Sequence, residues 1–519
     1  MQPLRKPNLS LFHTLFRSRF RITPHSPLNI HIHNHFTTSP PHDSNSVTNT
    51  TTSTSTSTKT SSIDAGSSNR KPISQWPGMF HSPATHALWE ARSSIFENPV
   101  NGNAVSSSQI QPVPKAPSRS KTSIFYNFSF DHILREQYRN PWNHIRMGKL
   151  VEDFDALAGT IAFKKSDVLI FEKLKNVASN IKLISASAHC SNEDGTAMPL
   201  LLVTASVDRM VLKKPIHIDA DLTIVGAVTW VGRSSMEIQL ELTQPAQGMA
   251  RLMLIDSALA IHFMGSQQAT LCGNLNISDT PALVANFTFV ARDSATEKAV
   301  PINQISPETE EERLLWEDAE KRNKLRKKMK LEQKHTENED NARLSSLLAE
   351  GRIFIDMPAL ADRDSILLKD TCLQNSFICQ PQQRNIHGRI FGGFLMRRAF
   401  ELAFSTAYAF AGVAPHFLEV DHVDFVKPVD VGNFLRLKSC VLYTELDNPD
   451  KPLVNVEVVA HVTKPELRSS EVSNRFYFTF GIDPEAIKNG LRIRSVVPDT
   501  EEEARKVLER MDADNSKFG

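Results

Sequence analysis

NIHGRIFGGFLMRRAFELA, Asn385 to Ala403, and NPWNHIRMGKLVEDFDALA, Asn140 to Ala158, are two versions of one segment. Aligned without gaps, Asn385 falls on Asn140, Gly393 on Gly148, Leu395 on Leu150, Leu402 on Leu157 and Ala403 on Ala158. The later version opens on paired glycines, Gly392 and Gly393, and has Phe400 where the earlier has Asp155. The earlier version opens on Met147-Gly148. One copy keeps a helix start suited to negative charge and the other keeps a carboxylate. That division is expected of a single active site shared by two halves of a duplicated protein.

The surroundings of the segment repeat as well. After the first helix, about Met147 to Phe163, come LLLVTASVDRMVL, DLTIVGAVTWV, SMEIQLEL and LVANFTFVA, rich in the Val, Ile, Thr and Phe of strands. After the second come HFLEVDHVDFV, NFLRLKSCVLYTEL, LVNVEVVAHV and RFYFTFGI. Val207-Asp208 and Lys214-Pro215 are mirrored by Val423-Asp424 and Lys427-Pro428. A long helix followed by meandering strands, twice over, is an α+β arrangement with each helix packed on an antiparallel sheet. The join from Leu242 to Ala282 is several times longer than its counterpart from Val462 to Asn474, so an atypical insertion is expected near 246–278.

The helix segments carry the chemistry. At Gly392-Gly393 no Cβ obstructs a close approach, and the first N–H groups of a helix point outward with the positive end of its dipole behind them. A carbonyl oxygen that becomes an oxyanion would be stabilised there, one well-placed donor contributing ~3–4 kcal/mol; tight helix–sheet packing explains the same glycines without chemistry. In the first copy Met147, Leu150, Val151, Phe154, Leu157, Ala158 and Ile161 form one apolar stripe. Glu152 and Asp153 point away from it, while Asp155 sits on its flank, on the same side as Gly148. A carboxylate at the edge of a buried face is partly desolvated, which makes it a stronger base. An ordinary boundary carboxylate is the bland alternative. There is no G-x-S-x-G elbow, G-x-G-x-x-G or H-E-x-x-H, so acyl transfer through an activated Ser or Cys has no local support.

These residues resemble a known family. N-x-x-G-x-x-x-G-G-x-L-M before an apolar helix, here Asn385 to Met396, resembles the hotdog-fold acyl-CoA thioesterases. With RMGKLVEDFDALAG and the duplicated layout, the chain is similar to the mitochondrial acyl-CoA thioesterase 9 subfamily over about Phe125 to Ile482. The resemblance implies two tandem hotdog domains, each a long helix wrapped by a curved antiparallel sheet, pairing as a pseudo-dimer with an active site between the halves. By position it implies Asn385, Gly393 and Asp155 as catalytic residues of an acyl-CoA thioester hydrolase that releases free fatty acid and CoA. Gly392 would shape the approach of substrate and His387 would add a hydrogen bond. Phe400 and Met147 depart from the family pattern, so the mirror site on Asn140 and Gly148 is expected to be dead. A dehydratase acting on 3-hydroxyacyl thioesters and a non-catalytic acyl-CoA-binding protein are the rival readings. Neither a cofactor nor a metal is called for.

The expected domains are a transit peptide over 1–42, a Ser/Thr/Pro-rich linker over 43–120, a hotdog domain over 121–305, a charged linker helix over 306–350, a second hotdog domain over 351–490, and a C-terminal tail over 491–519. Met1 to His42 holds no Asp or Glu, and Leu9, Phe12, Phe16 and Phe20 recur at helical spacing beside arginines. That points to the mitochondrial matrix, with the Ser/Thr run after it leaving a plastid open. Thr309 and Glu312 form a capping-box start for the charged helix. A net charge of +1 gives no field for nucleic acid, and no apolar run reaches the ~20 residues of a bilayer span, so no integral membrane segment is expected. The five cysteines, without a C-x-x-C pair, read as reduced thiols. Acyl-CoA is the expected partner, with homo-oligomers built from pseudo-dimers.

Overall fold

The computed structural model describes residue 85 and residues 114–163, 181–184, 200–244, 280–293, 296–332, 340–385, 388–421, 423–448 and 450–515. The expected transit peptide, most of the linker, the insertion at 246–278 and His387 lie outside these residues.

In the first half, β1 (Thr122–Tyr126) is followed by α1 (His132–Tyr138), α2 (Met147–Phe163) and β2 (Ile181–Ile184). Four longer strands come next: β3 (Leu200–Leu212), β4 (Leu222–Val231), β5 (Ser235–Thr243) and β6 (Leu283–Asp293). Two helices, α3 (Glu310–Glu332) and α4 (Asp340–Asp356), connect to the second half. There β7 (Ser365–Leu367) and β8 (Leu373–Ile378) precede α5 (Gly392–Ala411). The strands β9 (His416–Val420), β10 (Val423–Phe425), β11 (Phe434–Glu445), β12 (Leu453–Lys464) and β13 (Ser469–Gly481) follow. The chain closes with α6 (Pro484–Lys488), β14 (Ser495–Val497) and α7 (Glu501–Asn515).

Twelve of these strands make one continuous sheet, ordered β2-β1-β4-β5-β6-β3-β10-β13-β12-β11-β8 with β9 beside β13 and β3. Each half is a hotdog, its helix wrapped by its own antiparallel strands. The two are fused where β3 meets β10, with Val207 opposite Val423. Those two valines are repeat counterparts. So are Glu152 and Arg397, which form an ion pair at 2.9 Å between α2 and α5. A residue that meets its own counterpart lies on a local two-fold axis. The axis therefore runs between the sheet centre and the paired helices, and the halves form a pseudo-dimer.

α2 is buried on every face from Met147 to Ala162. Glu152 and Asp153, expected to point away from the core, are fully enclosed. The reason is that strands cover one side of α2 while α5, α1 and β1 cover the rest. Asp153 accepts hydrogen bonds from Tyr126 (3.0 Å), Tyr138 (2.5 Å) and the hydroxyl of Thr85 (2.6 Å). Burial, then the charge of Asp153, pushes the Tyr126 hydroxyl well above its ordinary pKa.

Two linking regions differ from their sequence reading. The charged stretch 306–350 holds two helices, α3 and α4. Arg322 and Arg326 of α3 reach acids on strands of the first half, buried Glu237 at 2.5 Å and partly buried Asp208 at 2.8 Å, so this helix straps the sheet. Its start is a reciprocal cap: Glu312 N donates to Thr309 Oγ1 at 3.2 Å, and Thr309 N to Glu312 Oε2 at 3.3 Å. The stretch 491–519, read as a tail, contains β14 and α7. Ala504, Val507 and Leu508 recur at helical spacing and are buried, and Arg510 is buried against Asp421 and Asp514.

Candidate active site

The N-terminus of α5 and the middle of α2 meet beside the axis. Phe391, at the N-cap, has an extended backbone and no side-chain capping bond, so the first amides of α5 are offered to groups from elsewhere. Gly393 N–H donates to Asp155 Oδ2 at 2.7 Å, between the rear and front halves. Thr204 on β3 donates its hydroxyl to the other oxygen, Asp155 Oδ1, at 3.0 Å. Asp155 is 2% exposed. The two halves therefore supply one carboxylate and one helix tip to the same spot.

Close approach favours glycine at both positions, more strongly at Gly393. A Cβ on Gly393 would lie 2.8 Å from the Phe391 ring and 3.0 Å from the Glu152 carbonyl oxygen. One on Gly392 would lie 3.2 Å from Asp155 Oδ2 and 3.4 Å from the Phe425 ring. At Gly393 the packing role and the exposure of the amide are thus one feature, since a side chain there would crowd the α2 backbone, while at Gly392 it would crowd the Asp155 carboxylate.

Asn385 stands in a tight turn before α5. Its side-chain oxygen accepts from Arg389 N at 3.1 Å, its carbonyl accepts from Gly388 N at 3.0 Å, and Gly388 has a φ of 81°. Asn385, Asp155 and Gly392 line one cavity of about 340 Å³. Buried Gly159, Leu202 and Leu395 also line it, while exposed Arg292, Glu297 and Lys427 belong to its outer part. Arg389 lines it too and pairs with Glu297 at 2.8 Å. An apolar interior with one carboxylate, one helix tip and a cationic mouth suits an acyl chain whose polar end carries negative charge.

The helix contact is set by charge as well as by size. Glu152 pairs with Arg397, and Arg146 of the first half pairs with Glu401 of the second at 2.8 Å. Burial alone would raise the Glu401 carboxyl, but Arg397 and Arg146 outweigh it and leave it below its usual pKa. Burial, with Arg397 and Arg146 nearby, lowers the Lys149 ammonium. Glu401, one position beyond the counterpart of Asp155 on the second helix, is thus committed to ion pairs.

The mirror site is filled. Phe400 holds the place corresponding to Asp155, and a Cβ on Gly148 would lie 3.3 Å from its ring. Phe400 packs against Phe404, Phe417, Phe478 and Phe480 with ring centroids 5.5–6.3 Å apart.

Sequence reading missed Thr204, Gly159 and the cations at the mouth. A signal for Thr204 existed: it lies three residues before Val207-Asp208, and its counterpart three before Val423-Asp424 is Val420. The cations had none, because Arg292, Arg389 and Lys427 come from three separate turns and strand ends.

A family model described as the thioesterase superfamily matches residues 184–250. The chain is 64% identical over 454 residues to acyl-coenzyme A thioesterase 4, mitochondrial, of Humulus lupulus, covering 87% of this chain and 77% of that protein. It is 61% identical over 455 residues to acyl-coenzyme A thioesterase 2, chloroplastic, of the same plant, covering 87% and 93%. Acyl-coenzyme A thioesterase 9, mitochondrial, of Homo sapiens is 29% identical over 378 residues, covering 71% and 72%. Among solved structures, an acyl-CoA hydrolase of Staphylococcus aureus in complex with butyryl coenzyme A is 24% identical, covering 30% of this chain and 94% of that one with a TM-score of 0.25.

Proposed function

We propose, from the premise that this chain belongs to the acyl-coenzyme A thioesterase 9-like family and hydrolyses acyl-CoA to free fatty acid and CoA, that the reaction runs at one composite site between the halves. Asp155 is its general base, Gly393 its oxyanion donor and Asn385 its orienting group. The observation that carries this is the Asp155 carboxylate held by an amide of the opposite half and by the Thr204 hydroxyl.

The thioester carbonyl competes with Asp155 for the Gly393 N–H as substrate enters. Taking that donor frees one carboxylate oxygen, while Thr204 keeps the other in place. Asp155 then removes a proton from a water that attacks the carbonyl carbon. Negative charge grows on the carbonyl oxygen against the positive end of α5, where water is excluded and the dipole is strongest. Collapse of the tetrahedral intermediate breaks the C–S bond, and the proton held by Asp155 goes to the departing thiolate. Asn385 orients the water or the carbonyl from its turn, with Gly392 leaving room for the thioester. Arg292, Arg389 and Lys427 face the CoA phosphates at the mouth.

The acid-poor, basic segment 1–42 and the organelle names of the hop relatives support import into an organelle, with the mitochondrial matrix proposed and the plastid as the alternative. Further association of pseudo-dimers is supported by exposed Ile355, Met357 and Leu360, which follow one another at the end of α4. Among the described residues no helix is long and apolar enough to cross a membrane.

Asp155→Asn tests the mechanism. It keeps the shape and the amide contact but removes the base, so kcat for acyl-CoA should fall by about 10³-fold, within the range of general base catalysis. Binding of acyl-CoA, followed by calorimetry, should stay within a few-fold of wild type. Undiminished thiol release by this variant would refute the role of Asp155.

A further inference from the structure

We propose that Gly159 is the specificity-determining residue that admits acyl chains longer than about five carbons, which makes this site one for medium- and long-chain acyl-CoA. The inference rests on the site assigned above, because it starts from where the thioester sits.

Gly159 lies inside α2, one turn beyond Asp155 on the same face, and it is buried. Glycine weakens a helix interior relative to alanine, so its presence there calls for a spatial reason. The cavity supplies one, since Gly159 lines its wall together with Leu202 and Phe289. Phe289 is paired with Thr204 across β3 and β6, and Leu202 is two residues from Thr204 on the same face of β3. The lane leading away from the carboxylate is therefore walled by α2 on one side and by apolar strand residues on the other. Four residues of helix carry it about 6 Å along α2. An extended alkyl chain advances roughly 1.3 Å per methylene, from C–C bonds of ~1.52 Å at tetrahedral angles, so about its fifth carbon passes Gly159.

The other half shows the same lane closed. In the gapless alignment the counterpart of Gly159 is Phe404. Its ring packs on Trp142 and Phe480 with centroids 5.4 Å and 6.1 Å away, so that half carries an aromatic ring where the catalytic side has no side chain. A side chain at 159 would do the same on the catalytic side.

The test transplants that residue. For Gly159→Phe and Gly159→Ala in the full chain, kcat/KM is measured with butyryl-CoA and dodecanoyl-CoA, and affinity with the thioether analogues of both. The dodecanoyl-to-butyryl ratio should fall at least tenfold in Gly159→Phe and by a smaller factor in Gly159→Ala, with the affinities changing in the same sense. Phe404→Leu should leave the ratio unaltered. An unchanged ratio in Gly159→Ala and Gly159→Phe overturns the proposal, as does equal loss for both substrates in a variant whose circular dichroism is native. If Gly159→Phe fails to fold, the alanine variant, favoured by helix propensity, decides alone. Wild-type protein that binds both analogues but turns over neither substrate would refute the catalytic reading, while the affinity ratio still judges Gly159.

Discussion

The composite site and its mirror image are built from the same parts in the same order, yet only one is open. On the open side Gly393 of α5 donates to Asp155, which shares a cavity with Thr204 and Gly159; on the closed side Gly148 of α2 lies against Phe400, and the counterparts of Thr204 and Gly159 are Val420 and Phe404. Besides Met147 in place of Gly392, three substitutions separate them, and each removes one property: a carboxylate, a hydroxyl and an empty space. Val420 is nearly the shape of threonine and Phe400 is fully packed, so the closed side keeps its helix contact while losing its polar groups. A symmetric dimer must place the same residue on both sides of its axis. Fusion of the halves lifts that constraint, and the axis records it: a homodimer would set Glu152 against another Glu152, whereas here it meets Arg397.

Reopening the closed side by charge alone should fail. Phe400→Asp removes a ring from a cluster of five and places a carboxylate where Val420 has no hydroxyl to offer. Loss of a buried phenylalanine and burial of an unsupported carboxylate each cost several kcal/mol, so unfolding free energy in urea should drop by about 4 kcal/mol or more. Thioesterase activity per folded chain should not rise. A doubled kcat would mean that the acid was the sole missing part.

Much of this asymmetry was legible in the sequence because duplication supplies an internal reference. Helix α2 is bounded by its periodicity, and β3 to β6 and β9 to β13 fall in stretches rich in Val, Ile, Thr and Phe. β1, β2 and β8 were not read from sequence; β1 and β2 are short strands at the outer end of the sheet, where little periodicity can accumulate. Asp155 and Gly393 stood out by comparison of the copies. Glu152 and Asp153 did not, since a helical wheel assumes one wet face and α2 has none. Arg510 was hidden for the converse reason: in a charged helix, the one buried arginine looks like its solvated neighbours until Asp421 is brought to it by the fold.

A subtler probe copies the closed side into the open one. Thr204→Val removes the hydroxyl that donates to Asp155 Oδ1 at 3.0 Å and keeps the volume. A hydrogen bond to a charged group contributes about 1.5–3 kcal/mol, so kcat should fall by roughly tenfold or more if the bond holds the base in its working orientation. KM for acyl-CoA should move by much less. If stability falls and kcat does not, Thr204 supports the fold and Asp155 needs no second partner to act.

The smallest effect separates the two turns that precede the helices. Gly388 and Asn143 are repeat counterparts with φ of 81° and 62°, and each closes a turn around an asparagine, Asn385 or Asn140. Among the described residues nothing lies within 4 Å of the place a Cβ would take on Gly388, so the cost of Gly388→Ala is that of the left-handed backbone. That cost is about 1 kcal/mol. Asn143→Ala should cost less, because asparagine already bears part of the same strain. The turns differ in what they carry. Relaxing the turn at Gly388 shifts Asn385, which lines the cavity, so kcat should decline a few-fold along with stability. Relaxing the turn at Asn143 shifts Asn140, beside a site that Phe400 has closed, and should lower stability alone. Equal effects of the two alanines on kcat would mean that Asn385 holds the turn, as Asn140 does, and takes no part in orienting the reactants.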